Sequence, residues 1–416
     1  MRITELTLTH FRGSDVLTLE LHPRLNLFVG VNGSGKSTIL DATALLLSWL
    51  LARIKHAEAA GDVVQEDDIS NDQAAAQLEI TVQHEGATAS WRLAQERPNT
   101  HPEASSLSAL DTLACNIAAQ LGDNNHGQQT PLMVYYPVNR TVLGMQAAAP
   151  AADAEQESDR PAWELAYADA LHSGANFHRF YSWYHAREVH ETVTDKTDPQ
   201  LAAVRRALAQ CLPGFGNLSV EERPRSLELR KRGKPIKLTQ LSDGEKCLMA
   251  LVGDLARRMA LANPDMENPL NGNGVVLIDE IDLHLHPRWQ HQVIPGLLSV
   301  FPHCQFMVST HSPHVITHVS PESIFLLTES EMGIEVDKPI ESYGKNVERI
   351  LEDLMGLEST RPNEVRDGLR RLHEAITEGK LTAAREQIEA LRAQIGADPE
   401  LVKAEILIRR KELIGK

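Results

Sequence analysis

Cysteines, aromatic residues and long apolar runs are all scarce in this sequence. The four cysteines lie far apart with no C-x-x-C pair, which disfavours a disulfide framework or a zinc site and fits a reducing compartment. No uncharged apolar run reaches the roughly 18 residues that a membrane-spanning helix needs, and the longest apolar segment is Ala42 to Ala52. No basic region followed by an apolar one stands at the N-terminus, so no signal peptide is expected. These absences predict a cytoplasmic protein that has no membrane partner.

Positive charge is also in short supply. The 41 lysines and arginines are outnumbered by 57 aspartates and glutamates, which gives a net charge of −16. Such an acidic chain is unlike a protein that coats nucleic acid with its whole surface, although a local basic patch stays compatible with it. With 42% apolar and 24% charged residues, the 416-residue chain is an ordinary globular sequence, long enough for two or three domains.

The sequence does contain a glycine-rich stretch, Gly30 to Ser37, that fits G-x-x-x-x-G-K-[ST]. An apolar run, Leu25 to Val29, precedes this stretch, and a Leu- and Ala-rich helical segment follows. A strand, a glycine loop and a helix N-terminus together make a cradle for polyphosphate. Lys36 would bring a positive charge to the β- and γ-phosphates, and the Ser37 hydroxyl would hold Mg²⁺. The motif predicts that the chain binds a nucleoside triphosphate, with Asn32, Gly33, Ser34, Gly35, Lys36, Ser37 and Thr38 as its contacts in this loop.

Period-two alternation predicts two antiparallel strand pairs around this loop. Residues 2–9 and 16–21 form the first pair, and residues 77–83 and 88–94 form the second. The turn Phe11-Arg12-Gly13 separates the strands of the first pair. The phosphate loop is therefore expected to sit in a strand-rich N-terminal lobe rather than in a simple alternating β-α-β chain.

The middle of the chain has linker composition at 147–160 and helical period from Trp163 to Leu212. An aromatic cluster in the helical part is more typical of the core of a helical subdomain than of a base-stacking platform. Strands return at 216–239, where a basic run is the best candidate for contact with a nucleic-acid backbone, although such runs are more often only solvated. The basic residues are Arg223, Arg225, Arg230, Lys231, Arg232, Lys234 and Lys237.

Two carboxylates follow an apolar run at Gly274 to Ile278. A strand that is apolar on both faces belongs inside a parallel sheet, and ligands bind at the carboxyl ends of such strands. Asp279 would accept the waters of Mg²⁺, and Glu280 would orient and deprotonate the attacking water. A second buried strand ends at His311 and is expected to lie beside the first, where its imidazole could hydrogen-bond the γ-phosphate.

A helix upstream opens with Leu241-Ser242-Asp243-Gly244-Glu245. Ser242 with Glu245 three residues later is a capping box that needs no further function, yet a capped helix N-terminus is also an anion site. In the functional interpretation, Ser242 contacts the γ-phosphate bound to a second copy of the chain. A His-x-His pair at His284 and His286 has no third ligand at a useful spacing, which disfavours a metal site there.

This ordered set of motifs resembles the ATP-binding-cassette (ABC) ATPases of the SMC, RecF and OLD group. The resemblance implies an α/β fold: a P-loop NTPase with an ABC-type head that has a mixed sheet, an antiparallel N-terminal β lobe and a helical subdomain, followed by a helical C-terminal tail. It also implies a head-to-head dimer, or a higher oligomer, in which two ATP molecules lie between one copy's P-loop and the other copy's signature helix.

The resemblance implies roles for single residues. Ser242 and Gly244 match the signature that acts in trans, Asp282 matches the D-loop that couples the two sites, and Gln65 or Asp68 could replace the Q-loop glutamine. The residues implied as catalytic are Glu280, Lys36, His311 and Ser242. The residues implied to bind Mg²⁺ are Ser37 and Asp279. Arg12, Ser242, Gly244 and Asp282 join the glycine loop as implied nucleotide contacts.

Several segments are further similar to the PtuA-type ATPases of bacterial Septu anti-phage systems and to the ATPases of retron operons. They are Leu277 to Gln290, Phe301 to Pro313, Tyr135 to Arg140 and Gly344 to Leu351. This similarity implies a separate HNH nuclease of the PtuB type as the partner that the ATPase gates. The lack of a long heptad insertion excludes long-armed SMC proteins, and the lack of a D-x-D motif after His311 argues against an OLD-type nuclease domain.

The expected organisation is an N-terminal ABC half (1–145), a linker (146–160), a helical insertion (161–215), a C-terminal ABC half (216–340) and a helical region for partner or oligomer contact (341–416). Two other functions stay open. One is a RecF-like repair ATPase acting directly on DNA, and the other is a scaffold that ATP assembles without appreciable turnover. Contact with DNA or RNA stays open with them.

Overall fold

The structure is a computed structural model that describes residues 1–98, 105–122, 129–138, 160–172, 177–222, 225–330 and 333–414. The chain divides into two compact units, Met1–Lys345 and Asn346–Lys416. Nearly all of the predicted linker, together with Asn139, Arg140 and Arg223, lies outside the described residues.

Strands and helices occur in short groups along the chain. The strands are β1 (Arg2–Thr9), β2 (Val16–Glu20), β3 (Leu25–Gly30), β4 (Ala75–His84), β5 (Ala87–Glu96), β6 (Leu132–Tyr136), β7 (Phe215–Glu222), β8 (Arg225–Lys231), β9 (Lys234–Lys237), β10 (Gly274–Ile278), β11 (Cys304–Thr310), β12 (Ile324–Ser330) and β13 (Gly333–Asp337). The helices are α1 (Lys36–Lys55), α2 (Ser108–Gly122), α3 (Ala162–Ala166), α4 (Phe177–Thr194), α5 (Pro199–Cys211), α6 (Asp243–Ala262), α7 (Pro287–Val300), α8 (Pro313–Ile316), α9 (Val347–Asp353), α10 (Asn363–Thr377), α11 (Leu381–Ile395) and α12 (Pro399–Ile414).

A six-stranded mixed sheet in the order β13-β12-β3-β11-β10-β6 forms the centre of the larger unit. Its neighbouring strands are parallel except for β12 and β13. The predicted parallel pairing of β10 with β11 is confirmed, with Ile278 opposite Val308. Because β3, β10 and β11 are parallel, the residues that follow them emerge at the same edge of the sheet.

Two antiparallel sheets accompany the central one. The N-terminal lobe has the order β2-β1-β4-β5, which confirms both predicted strand pairs. The smaller sheet has the order β7-β8-β9. Its β8–β9 hairpin turns at Arg232 and Gly233, which both have positive φ, as a two-residue hairpin loop requires.

The helix after the phosphate loop, α1, lies between the N-terminal lobe and the central sheet. Its Leu46 and Leu50 are fully buried, and the Leu46 carbonyl accepts a hydrogen bond from the indole nitrogen of Trp91 on β5 at 3.2 Å. Of the helices in the described ranges, α1 alone is long and apolar enough to cross a membrane. A core helix meets the same criterion, and most of α1 is buried inside the protein.

A buried ionic cluster anchors α6 to the sheet and to α3. The Asp254 carboxylate accepts from the Arg258 Nε at 2.6 Å, from an Arg257 Nη at 3.0 Å and from the Tyr136 hydroxyl at 3.0 Å. Arg258 also donates to the carbonyl of Ala166 at 2.7 Å. Burial alone would raise the pKa of Asp254, but the two guanidinium groups outweigh it and lower that pKa.

The smaller unit contains four helices, three of which share one hydrophobic core. Residues 363–395 form two helices, because the chain turns at Gly379 (φ +79°) between α10 and α11. One face of α12 completes this core. The buried residues that define the core include Leu369, Leu372, Ile376, Ile388, Leu391, Leu401 and Ile408.

Candidate functional site

The phosphate loop connects β3 to α1 in the conformation that its glycines permit. Gly33 and Gly35 have φ of +85° and +93°, the left-handed region that side chains disfavour. A methyl group on Gly35 would also overlap the side chain of Ile334 on β13. Asn32 and Gly33 are exposed at the mouth of the loop, so its backbone is open to a ligand.

The Lys36 side chain hydrogen-bonds the backbone of the phosphate loop. Its ammonium donates to the carbonyl oxygens of Gly30 at 3.1 Å and Val31 at 2.8 Å. Burial lowers the pKa of Lys36, and the carboxylates after β10 act in the opposite direction. The charge of Lys36 therefore lies at the edge of the sheet where the carboxyl ends of β3, β11 and β10 emerge.

A chain of short polar contacts links the loop to the end of β10. The Ser37 hydroxyl donates to one oxygen of Asp279 at 2.7 Å, and the Ser309 hydroxyl donates to the other. Asp279 is 2% exposed. Oxygen ligands of this kind suit Mg²⁺, so Ser37 and Asp279 fit the ion that the sequence predicts.

Glu280 leaves the sheet at a left-handed residue, with φ of +47°. Its backbone nitrogen donates to the Ser309 hydroxyl at 2.7 Å, and the next nitrogen, of Ile281, donates to the Ser309 carbonyl at 3.0 Å. These contacts tie the backbone on both sides of the Glu280 carboxylate to β11.

His311 follows β11 at the same edge of the sheet. Burial lowers its pKa, and the nearby charge of Lys36 lowers it further, whereas Asp282, Glu280 and Asp279 raise it. A lowered pKa keeps the imidazole neutral at neutral pH, with one nitrogen as donor and the other as acceptor. The structure thus brings together Lys36, Ser37, Asp279, Glu280, Asp282 and His311.

Ser242 lies apart from that group, at the N-cap of α6. Within the part of the chain that the structure describes, its hydrogen bonds stay in its own helix: Ser242 Oγ accepts from the Glu245 nitrogen at 3.4 Å, and Ser242 N donates to Glu245 Oε2 at 3.1 Å. Ser242 is exposed. The capping box predicted from the sequence is therefore present, with its serine facing solvent.

The loop that contains Asp282 packs against the start of α6. Gly244 is buried there, and a methyl group on it would overlap the carbonyl oxygen of His284. His286 instead caps α7 by accepting from the Arg288 nitrogen at 3.2 Å. Across the described ranges no group of three or more histidine, cysteine or acidic side chains could hold a metal ion.

Arg12 is bound by two carboxylates. Its guanidinium contacts Asp41 at 2.5 Å and Asp68 at 2.9 Å. The Tyr135 hydroxyl donates to the other oxygen of Asp41 at 2.7 Å. Gln65 caps the short turn that contains Asp68, and its side-chain nitrogen donates to the Val63 carbonyl at 3.2 Å. Both Q-loop candidates thus lie in one turn, and Asp68 pairs with Arg12.

The basic hairpin contacts α6 directly. Lys231 pairs with Glu245 at 2.7 Å, and its ammonium lies 5.3 Å from the ring centre of Phe215. Burial raises the pKa of Glu245, but the bonds to Lys231 and Ser242 prevail and lower it. One cation of the predicted nucleic-acid patch is therefore engaged by the capping box, while Arg230 and Arg232 are exposed.

Two residues of the site were missed by sequence reasoning. Ser309 bridges Asp279 and the Glu280 backbone, and Asp41 joins Arg12 to Tyr135. The parallel register of β10 and β11 would have revealed Ser309, because it places that residue beside Asp279. Asp41 carries no comparable signal, since it stands within an otherwise apolar helix.

The chain is similar to several known proteins. The profile of the RecF/RecN/SMC N-terminal domain family matches residues 2–335. The retron Ec83 probable ATPase of Escherichia coli is 29% identical over 394 residues, covering 80% of this chain and 72% of that protein. The Septu protein PtuA of Bacillus thuringiensis is 24% identical over 382 residues, covering 86% of this chain and 85% of that protein. An SMC head domain from Thermotoga maritima aligns over 82% of this chain and 100% of its own, with 18% identity and a TM-score of 0.45.

Proposed function

This chain is an ATPase that belongs to the RecF/RecN/SMC N-terminal domain family, and we propose that it hydrolyses ATP at sites shared between two copies. In this proposal the ATPase acts in the bacterial cytoplasm, in defence against phages. The observation that carries the catalytic proposal is the set of side chains at the ends of β3, β10 and β11. Lys36, Ser37, Asp279, Glu280 and His311 meet there on strands of fixed register.

Each of these residues has a distinct task in the proposed mechanism. Lys36 exchanges its two carbonyl partners for phosphate oxygens and offsets their charge. Ser37 and Asp279 would hold Mg²⁺, which would neutralise charge on the phosphate oxygens. Glu280 accepts a hydrogen bond from the attacking water and takes its proton. Neutral His311 donates a hydrogen bond to the γ-phosphate.

A second copy completes the site in this proposal. Ser242 is exposed and bonds only within α6 among the described residues, so its helix end is available to a nucleotide held by another chain. Helix N-termini favour phosphate groups because their backbone N–H groups are free and the helix dipole is positive there. Gly244 and Asp282 would lie at the same junction between copies.

Glu280→Gln tests the chemistry. We expect this protein to bind ATP as the wild type does and to lose turnover by on the order of 10²- to 10⁴-fold, the usual contribution of a positioned general base. Phosphate release measures turnover, and a fluorescent ATP analogue measures binding. Normal hydrolysis by Glu280→Gln would refute the assignment, and negligible hydrolysis by the wild type would favour the ATP-assembled scaffold.

Mixing two inactive variants tests the shared site. Lys36→Ala removes the charge in the P-loop, and Ser242→Ala removes the helix cap, so each protein alone should be nearly inactive. A mixed dimer contains one site with the Lys36 of one copy and the Ser242 of the other. Mixing in equal amounts should therefore restore a fraction of the wild-type rate. If the mixture stays as inactive as its parts, Ser242 does not act across the dimer.

The relatives guide the proposed biological role. The similar proteins include a retron ATPase and Septu PtuA, which supports an anti-phage function for this chain. We propose that the dimer holds and gates a separate HNH nuclease. Co-expression with a PtuB-type HNH nuclease, followed by affinity purification and a phage plaque assay, tests this role. An ATPase that protects cells from phage equally well without the nuclease would contradict the gating proposal.

A further inference from the structure

One side chain outside the predicted site joins the two loops that carry Asp282 and His311. Gln290 lies in the first turn of α7, and its side-chain nitrogen donates to the Leu285 carbonyl at 2.9 Å. Its side-chain oxygen accepts from the Ser312 hydroxyl at 2.8 Å. Both ends of the amide are thus used, one on the loop after β10 and the other on the segment after β11.

Two further hydrogen bonds join the Asp282 loop to the segment that contains His311. The Thr310 hydroxyl donates to the Asp282 carboxylate, and the Ser312 nitrogen donates to the Thr310 hydroxyl at 3.0 Å. His311 stands between Thr310 and Ser312, so its backbone is held on both sides. Hydrogen-bonded networks of this kind fix a local geometry more firmly than isolated contacts do.

The loop that Gln290 contacts also touches the start of α6. The His284 carbonyl packs on Gly244, and Leu285 follows directly in the chain. A series of contacts therefore runs from Gly244, near the capped start of α6, through the His284–Leu285 loop and Gln290 to Ser312, the residue after His311. Gln290 is half-buried.

We propose that Gln290 is a positioning residue for ATP hydrolysis, which holds the Asp282 loop and the His311 segment as one unit. It acts through His311 and does not itself contact nucleotide. This inference rests on the proposed function, because it concerns the step in which Glu280 and His311 act together. Small displacements of reacting groups can lower a rate by up to about 10²-fold, so a loosened His311 is expected to slow turnover.

The variant Gln290→Met keeps the length of the side chain and removes both hydrogen bonds. We expect its kcat to fall by roughly 10- to 100-fold, whereas KM for ATP and binding of the fluorescent analogue change by less than about threefold. A fall in kcat with little change in KM or in binding distinguishes a loss of positioning from a loss of the nucleotide site. Gln292→Ala, an exposed glutamine on the same helix, is the matched control and should keep wild-type kcat.

Ser312→Ala removes the other end of the connection and shows whether the two residues act together. If they do, the double variant Gln290→Met/Ser312→Ala should have a kcat no lower than about half that of the slower single variant. Independent effects would instead multiply and would overturn the proposal. Ser312→Ala keeps the test valid if Gln290→Met does not fold, because it perturbs the same connection from the segment after β11.

Different results would refute the proposed function and the role of Gln290. If the wild type and Gln292→Ala hydrolyse ATP and Gln290→Met does so equally fast, the role of Gln290 is wrong and the proposed function stands. If the wild type shows no turnover, the proposed function is wrong and the role of Gln290 falls with it. Reduced ATP binding by folded Gln290→Met would also overturn the proposal, since it would place Gln290 in the nucleotide site.

Discussion

Replacing Asp254 by asparagine should strongly destabilise the larger unit while changing almost nothing in shape. The Asp254 carboxylate pairs with both Arg257 and Arg258, and all three residues are at most 3% exposed. The amide would remove the carboxylate that pairs with these two buried guanidinium groups and would turn one donor toward them. Removing one partner from a buried ion pair typically destabilises a protein by about 3–5 kcal/mol.

That loss is a large share of the roughly 5–15 kcal/mol by which a folded protein is stable. All five tryptophans lie in the larger unit, so their fluorescence during urea unfolding reports on that unit. Asp243→Asn is the control on the same helix, because its side chain is 84% exposed and pairs with Lys246 only at the surface. We expect this control to lose less than about 1 kcal/mol.

The pH dependence of the difference in unfolding free energy between the wild type and Asp254→Asn is a second check. Because the pKa of Asp254 is lowered in the folded state, its contribution is present above the unfolded pKa of about 3.9 and is lost as the pH falls through the lower folded value. The wild type and Asp254→Asn should therefore become more alike as the pH drops below about 4. An Asp254→Asn protein within about 1 kcal/mol of the wild type at neutral pH would refute the reasoning.

Two further substitutions test the elements around the site. Lys231→Met removes the partner of Glu245 and should slow phosphate release several-fold, without weakening binding to a DNA duplex in a fluorescence anisotropy assay. Arg230→Met changes an exposed residue on the same strand and should not slow phosphate release. Equal rates of phosphate release in the two variants would contradict this prediction. Gly35→Ala adds a methyl group to a residue with left-handed backbone, where it would overlap Ile334. We expect the affinity for ATP, measured by titration calorimetry, to weaken by at least about tenfold. Unchanged affinity would contradict the loop geometry.

Much of the larger unit could be predicted because its signals are local. Alternation over residues 2–9 and 77–83 predicted β1 and β4, and apolar runs predicted β10 and β11. The glycine loop and the capping box at Ser242 are also short-range patterns. Each depends on residues within a few positions of each other, so a single sequence carries the whole signal.

The partners of single charged side chains could not be predicted in the same way. Arg12 stays an expected nucleotide contact, and the residues that pair with it, Asp41 and Asp68, are distant in sequence and carried no signal of that pairing. Lys231 looked like part of a solvated or phosphate-binding run and pairs with Glu245 instead. Such pairings depend on how separate sheets and helices meet, and no periodic pattern in one segment records that.

The resting position of the P-loop lysine has a consequence for which anions the protein admits. Two backbone carbonyls accept from two of the three N–H donors of the Lys36 ammonium, so a phosphate that binds the ammonium must compete with them. The exposed stretch at Asn32 and Gly33 leaves the loop backbone open to the same ligand. A polyphosphate can contact the ammonium and the loop backbone at once, so this exchange favours it over an anion that contacts only one of them.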